Sequence, residues 1–210
     1  MVSGKDLRAR VHDALIDLCF ERGFAQLTEE ALCERAGIAR AEFDRDFDGL
    51  EDCFFQVYRG ELARYQREAA AARAGLTTWR ERVRATAYAL YRFLAEDEKI
   101  RWFTVVEVRG AGERTQLLVG QEIESLFDLI DEGRGDQADS DLLTRATAES
   151  VGGGIFNQMY LAAGQRGPMP AERDIVPKMM YAAVLPYVGA EAAAEELEIP
   201  PPAPQEAADR

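Results

Sequence analysis

Within AGIARAEFDRDF, residues 36–47, three carboxylates (Glu42, Asp44 and Asp46) fall inside five positions, with Arg40 and Arg45 beside them. Clustered acids can serve proton transfer when a nucleophile or a partner base stands nearby. None is legible. The single histidine, His12, sits one residue off an apolar helical stripe, a place for a partly exposed structural side chain. No G-x-S-x-G occurs, and Cys19, Cys33 and Cys53 lie at intervals of 14 and 20 without a C-x-x-C. That spacing gives no zinc set and no thiol–histidine pair, and it fits buried thiols in a reducing compartment. Gly152-Gly153-Gly154 has no strand before it and no G-K-[ST] after it, so it is not a phosphate loop. Acids such as Glu96-Asp97-Glu98 suit a solvated helix end. A binding protein is expected, not an enzyme, with no cofactor and no metal.

The elements that must position these residues are helices. Leu7, Val11, Ala14, Leu15 and Leu18 recur at steps of three and four, and Gly23 is placed to end that helix in a left-handed cap. Thr28 can cap a short second helix with Glu29 and Glu30 in its first turn, stopping at Ala36-Gly37. Ile38 leads into a third, where Phe43 and Phe47 share an inward face. A long helix over 50–73 follows, broken by Gly75, and Thr77 or Thr78 caps the next, which carries Trp79, Val83, Ala87, Leu90 and Leu94. Further helices are expected over 98–109, 113–131, 141–163 and 171–188. No stretch alternates as a strand would. The terminal IPPPAPQEAADR is expected to be extended or disordered.

With 47% apolar and 30% charged residues in 210, the composition is that of a globular protein. Runs such as FTVVEV and YAAVLPYV fall far short of the roughly 20 residues of a membrane span, and MVSGKDLRARVHDA lacks a signal-peptide core. A soluble, cytoplasmic protein is expected. The net charge is −13, and residues 1–60 hold eight basic side chains against thirteen acids. The basic patch usual in a nucleic-acid binder is missing as a net quantity.

Residues 12–58 nevertheless resemble the N-terminal domain of the TetR family of bacterial transcription regulators. The similarity rests on Phe20 to Phe24 closing the first helix, Leu27-Thr28 opening the second, Leu32-Cys33-Glu34-Arg35-Ala36-Gly37-Ile38-Ala39 at the turn, Phe43-Asp44-Arg45-Asp46-Phe47, and Leu50. The resemblance implies an all-α fold: a three-helix helix-turn-helix domain (1–49), joined by a long helix to a larger ligand-binding and dimerisation domain (50–190), then a Pro-rich tail (191–210). It also implies a ligand-responsive regulator, a repressor, that binds operator DNA as a homodimer through its last two long helices. The DNA-facing residues it implies are Thr28, Ala39, Arg40, Ala41, Glu42, Asp44, Arg45, Asp46 and Leu50. Several depart from the family pattern: Asp44, Asp46 and Leu50 replace tyrosine, histidine and lysine, and Ala39 replaces a hydroxyl.

Those departures open a second reading. Two unit charges about 4 Å apart repel by about 1 kcal/mol in water and by more near a low-dielectric surface. Bare carboxylates against phosphates would weaken or abolish DNA binding, leaving a TetR-like small-molecule sensor or protein-binding partner. Against this, Arg40 and Arg45 can reach a guanine or a phosphate, and Glu42 can accept from a cytosine amino group. Arg35, Arg40 or Arg45 can also neutralise the acids internally, and Lys5, Arg8 and Arg10 can grip the DNA backbone.

In the larger domain a pocket for a small hydrophobic ligand is expected among Trp79, Tyr88, Tyr91, Trp102, Phe103 and Phe127, with Phe156, Met159 and Tyr160. Plain core packing accounts for the same residues. Glu107, inside TVVEV, and Asn157-Gln158 are polar groups on apolar faces that need partners. Three consecutive glycines in a helix cost about 1 kcal/mol each relative to alanine. Close approach of a partner helix across a two-fold axis, or a kink beside a pocket, would offset that.

Overall fold

The computed structural model describes residues 4–136 and 143–202, and among them there are nine α-helices and no strand. The all-α class is as expected. None of these helices is long and apolar enough to cross a membrane. The chain forms two compact units, one of Met1–Arg64 with Asp97–Val119, the other of Tyr65–Glu96 with Gly120–Arg210.

The first unit contains α1 (Gly4–Arg22), α2 (Glu29–Ala36), α3 (Arg40–Asp46), the start of α4 (Gly49–Arg73), α6 (Glu98–Val105) and the start of α7 (Glu113–Asp131). Its core joins Leu7, Val11, Leu15 and Leu18 of α1 to Leu32, Phe43, Phe47, Phe54 and Phe103. Cys19, Cys33 and Cys53 are buried there as free thiols. Burial pushes the Cys53 thiol up to about 12, so it stays protonated and unreactive at neutral pH.

Gly23 does turn the chain after α1 with a positive φ of 82°, but its ψ of 148° is extended and not left-handed helical. A 3-10 turn, Phe24–Gln26, follows directly. The helix expected over 98–109 stops at Val105 and tightens into a 3-10 turn at Glu107–Gly110. That break lets the Glu107 carboxylate accept from the Phe24 N–H at 2.6 Å and from the Trp102 Nε1–H at 2.8 Å. Glu107 has found its partners within this unit.

The second unit contains the rest of α4 and α7, with α5 (Trp79–Glu96), α8 (Arg145–Ala163) and α9 (Glu172–Ala194). Thr78 caps α5 in a reciprocal box with Glu81. The Asp141 expected to open α8 lies outside the described residues, and helix begins after Thr144. α9 is broken by Gly189 at φ 77° and ψ 170°, beside the expected end near 188. Helical structure then continues through Leu197, where the Glu196 carboxylate is fully buried between Arg80 and Arg84 at 2.8 and 2.7 Å.

Candidate nucleic-acid interface

Thr28 starts α2 by accepting the Ala31 N–H on its hydroxyl at 3.2 Å. Its hydroxyl is thereby engaged in capping. α2 ends on Gly37, whose φ of 61° and ψ of 42° are left-handed, and the Ile38 N–H returns to Cys33 O at 3.0 Å. Arg10 of α1 donates to the Gly37 carbonyl, so the turn is also pinned from outside. Ala39 has no side chain to cap α3. The Glu42 carboxylate reaches back to the Ala39 N–H at 2.9 Å, which is half of a capping box. Phe43 and Phe47, 5.2 Å apart, anchor the inner face. Ala39, Arg40, Ala41, Asp44 and Arg45 are left exposed, with Glu42 and Asp46 partly covered.

Asp44 and Asp46 of α3 are paired with arginines. The Arg40 Nε donates to Asp44 Oδ1 at 2.6 Å, and its other nitrogens meet Glu29 and, at 3.5 Å, Glu30. The Asp44 hydrogen bond raises the Arg40 pKa above its ordinary value. Asp46 lies 3.2 Å from Arg45 Nε and 3.9 Å from Arg8 Nε. Arg35 forms a fork with Glu21 at 2.9 and 2.7 Å, which holds that carboxyl below its usual range. One guanidinium thus serves three carboxylates around Arg40, and residues 28–50 remain acidic, with seven acids to three arginines. Arg8 and Arg45 keep more of themselves in solvent, at 58% and 60% side-chain exposure. Leu50 packs against the core of the unit.

The roles of Arg10, Glu29 and Glu30 were not legible beforehand. Arg10 reaches its carbonyl across 27 residues of sequence, and only the folded turn brings them together. The first-turn acids of α2, Glu29 and Glu30, suit the helix dipole and also hold Arg40.

The ten ligand candidates divide between the two units. Trp102, Phe103 and Glu107 belong to the first unit, where Phe103 is fully buried and stacked 4.2 Å from Phe54. In the second unit Trp79 donates its Nε1–H to Leu129 O at 2.8 Å, and the Tyr91 hydroxyl donates to Pro170 O at 2.6 Å. Tyr88 is buried. Phe127 packs where a Cβ on Gly152 would come within 2.5 Å of its ring. Tyr160 is half-buried, whereas Phe156 and Asn157 are exposed on α8.

The nine helices among the described residues, opening with a helix-turn-helix, give a fold like that of solved TetR-like transcriptional regulators. The chain superposes on a TetR-like regulator from Rhodococcus sp. RHA1 with a TM-score of 0.70 and 17% identity, covering 87% of this chain and 96% of that one. It is similarly close to the fatty acid degradation regulator FadR of Bacillus halodurans (0.68, 16%, covering 87% and 95%). FadR of Bacillus subtilis, solved with stearoyl-CoA, gives 0.66 and 16% over 86% and 98%. No family model matches the sequence, and no curated protein matches it at the sequence level.

Proposed function

We propose that this chain is a ligand-responsive transcriptional repressor that binds operator DNA as a homodimer in the cytoplasm, and that it is not an enzyme. The observation carrying the DNA-binding reading is the turn itself: a capped α2, a left-handed Gly37 held by Arg10, and an α3 that follows exposed Ala39 and turns Arg40, Ala41, Asp44 and Arg45 outward. Small side chains there let the helix backbone approach the major groove, and Arg45 supplies a guanidinium for a guanine edge or a phosphate. Pairing of Asp44 with Arg40 and of Asp46 with Arg45 and Arg8 removes much of the repulsion that bare carboxylates would exert.

The dimer reading rests on α8 and α9. Gly154, Asn157, Gln158 and Leu161 lie at steps of three and four on α8, all exposed and all uncharged. Tyr181, Ala182, Leu185 and Val188 make a half-exposed apolar stripe on α9. The ligand reading draws on the structural neighbours, one of which holds stearoyl-CoA, and places a small apolar molecule in the second unit near Trp79 and Phe127.

One observation favours the second reading, a sensor without useful DNA affinity: Arg40 is tied to Glu29, Glu30 and Asp44. Titration of a random duplex separates the two. The wild type should bind at low salt and lose affinity as salt rises. Asp44→Tyr with Asp46→His should tighten binding by about tenfold or more, since each carboxylate removed relieves about 1 kcal/mol of repulsion. No affinity for wild type at low salt, created by the double change, would establish the sensor instead.

A further inference from the structure

The second unit carries two buried oxygens with nothing to bond. Tyr187 of α9 is 3% exposed, and its hydroxyl has no hydrogen-bond partner. Asp131, the last residue of α7, places Oδ2 on Arg134 at 2.5 Å, while its Oδ1 is buried and unpartnered. The two groups are near enough to interact electrostatically: after burial, the Asp131 charge is the next cause raising the Tyr187 phenol. No hydrogen bond joins the two groups directly. The Trp79 ring stands 5.0 Å from the Tyr187 ring, edge-on, and its Nε1–H is already committed to Leu129 O. Gly133 lacks a side chain where a Cβ would collide with the same indole. Trp79 therefore touches Leu129 and Gly133, on either side of Asp131, as well as the Tyr187 ring, which brings both unmet oxygens to the neighbourhood of one indole, and buried polar atoms call for a group that satisfies them.

We propose that Asp131 and Tyr187 form the polar end of a small-molecule site, one that takes a neutral hydroxyl carried on an apolar body. The ligand hydroxyl would donate to Asp131 Oδ1 and accept from the Tyr187 hydroxyl, with the Trp79 indole as an apolar wall. A carboxylate ligand is disfavoured because it has no proton to donate to Asp131 Oδ1. An ammonium is disfavoured because Arg134 already neutralises Asp131 and Arg145 adds a second positive field at Tyr187. The site deepens the ligand-responsive reading above, but its occupancy is measured without DNA, so either can fail alone.

The test uses the full chain with 1-hexanol as probe, against hexanoate and hexylammonium at equal concentration. The readouts are thermal unfolding and the Trp79 indole N–H resonance, assigned by its persistence in Trp102→Phe. Hexanol should move that resonance saturably and raise Tm, and the two charged probes should do neither. Tyr187→Phe should weaken hexanol binding by about 3- to 10-fold, the worth of one hydrogen bond. Its unliganded Tm should equal or exceed that of wild type, because an unmet hydroxyl has been deleted. The proposal is overturned if hexanol gives no saturable shift, if hexanoate or hexylammonium binds as well as hexanol, or if Tyr187→Phe binds hexanol like wild type. It is also overturned if Tyr187→Phe alone lowers Tm, which would mean that an ordered water already satisfies the hydroxyl.

Discussion

His12 lies between two carboxylates, with Nδ1 2.9 Å from Asp13 Oδ1 and Nε2 2.8 Å from Glu61 Oε1. Acceptors on both sides favour the doubly protonated ring, and the Glu61 bond, outweighing burial, raises the His12 pKa above its usual 6.5. Burial alone would raise Glu61, but His12 and Arg64 outweigh it and hold that carboxyl low. A group whose folded pKa is raised stabilises the fold fully below its unfolded value and loses that contribution as pH rises through the folded value. Wild type should therefore lose stability as pH rises past the ordinary histidine value of about 6.5 and through the raised folded value, by about 1–2 kcal/mol for a charge-assisted bond to a buried partner. In Glu61→Gln that slope should flatten, as read from urea midpoints at each pH. Equal slopes in both proteins would show that Arg64 alone supports Glu61. At this scale the sequence disclosed which side chains mattered more readily than what they touch. His12 reads as half-buried from its place beside an apolar stripe, and its partner is 49 residues away. The carboxylates of α3 were visible as an anomaly, but the decisive contacts of Arg40 run to a neighbouring helix.

Helices were legible wherever apolar residues recur with period 3.6 and a cap or glycine marks the end, as in α2, α5 and α7. The misreadings fall where a tertiary contact overrides local pattern. α6 stops early because Glu107 turns toward Phe24 and Trp102, and nothing within 98–109 announces a partner so far upstream. The three glycines of α8 divide by role in the same way. A Cβ at Gly152 would come within 2.5 Å of the Phe127 ring, whereas Gly153 and Gly154 have nothing within 4 Å. Gly152→Ala should overpack the α7–α8 contact, a cost of about 1–3 kcal/mol, less the alanine gain in helix propensity. Gly153→Ala and Gly154→Ala should each stabilise the chain by about 0.5–1 kcal/mol when measured at concentrations where it is monomeric. Denaturation midpoints of the three variants check this. If Gly152→Ala were as stabilising as the other two, close approach of α7 would not be what holds that glycine in place.

The charge of the whole molecule sets the terms on which it can meet DNA. Each chain carries −13, so the proposed dimer would approach the duplex against a long-range repulsion that added salt screens beyond about 10 Å at 0.1 M. Contact itself gains from counterion release, which salt opposes, so the two dependences run in opposite directions. If Arg8 and Arg45 are the main phosphate contacts of each subunit, a dimer neutralises about four phosphates, and the slope of log K against log salt should be no steeper than about −4. That shallow slope requires two subunits, and in the proposed dimer these meet on the uncharged face of α8. Leu161 is 56% exposed there, so Leu161→Glu removes little from the isolated fold and should leave the monomer unfolding midpoint unchanged. Buried against its own symmetry mate, the new carboxylate would face a like charge without water, and sedimentation at micromolar protein should show monomer in place of dimer. DNA affinity should fall with it, because two half-sites one helical turn apart can only be read by linked subunits. A dimer that survives Leu161→Glu would move the interface off this face of α8, while a monomeric wild type that still binds DNA tightly would remove the need for one.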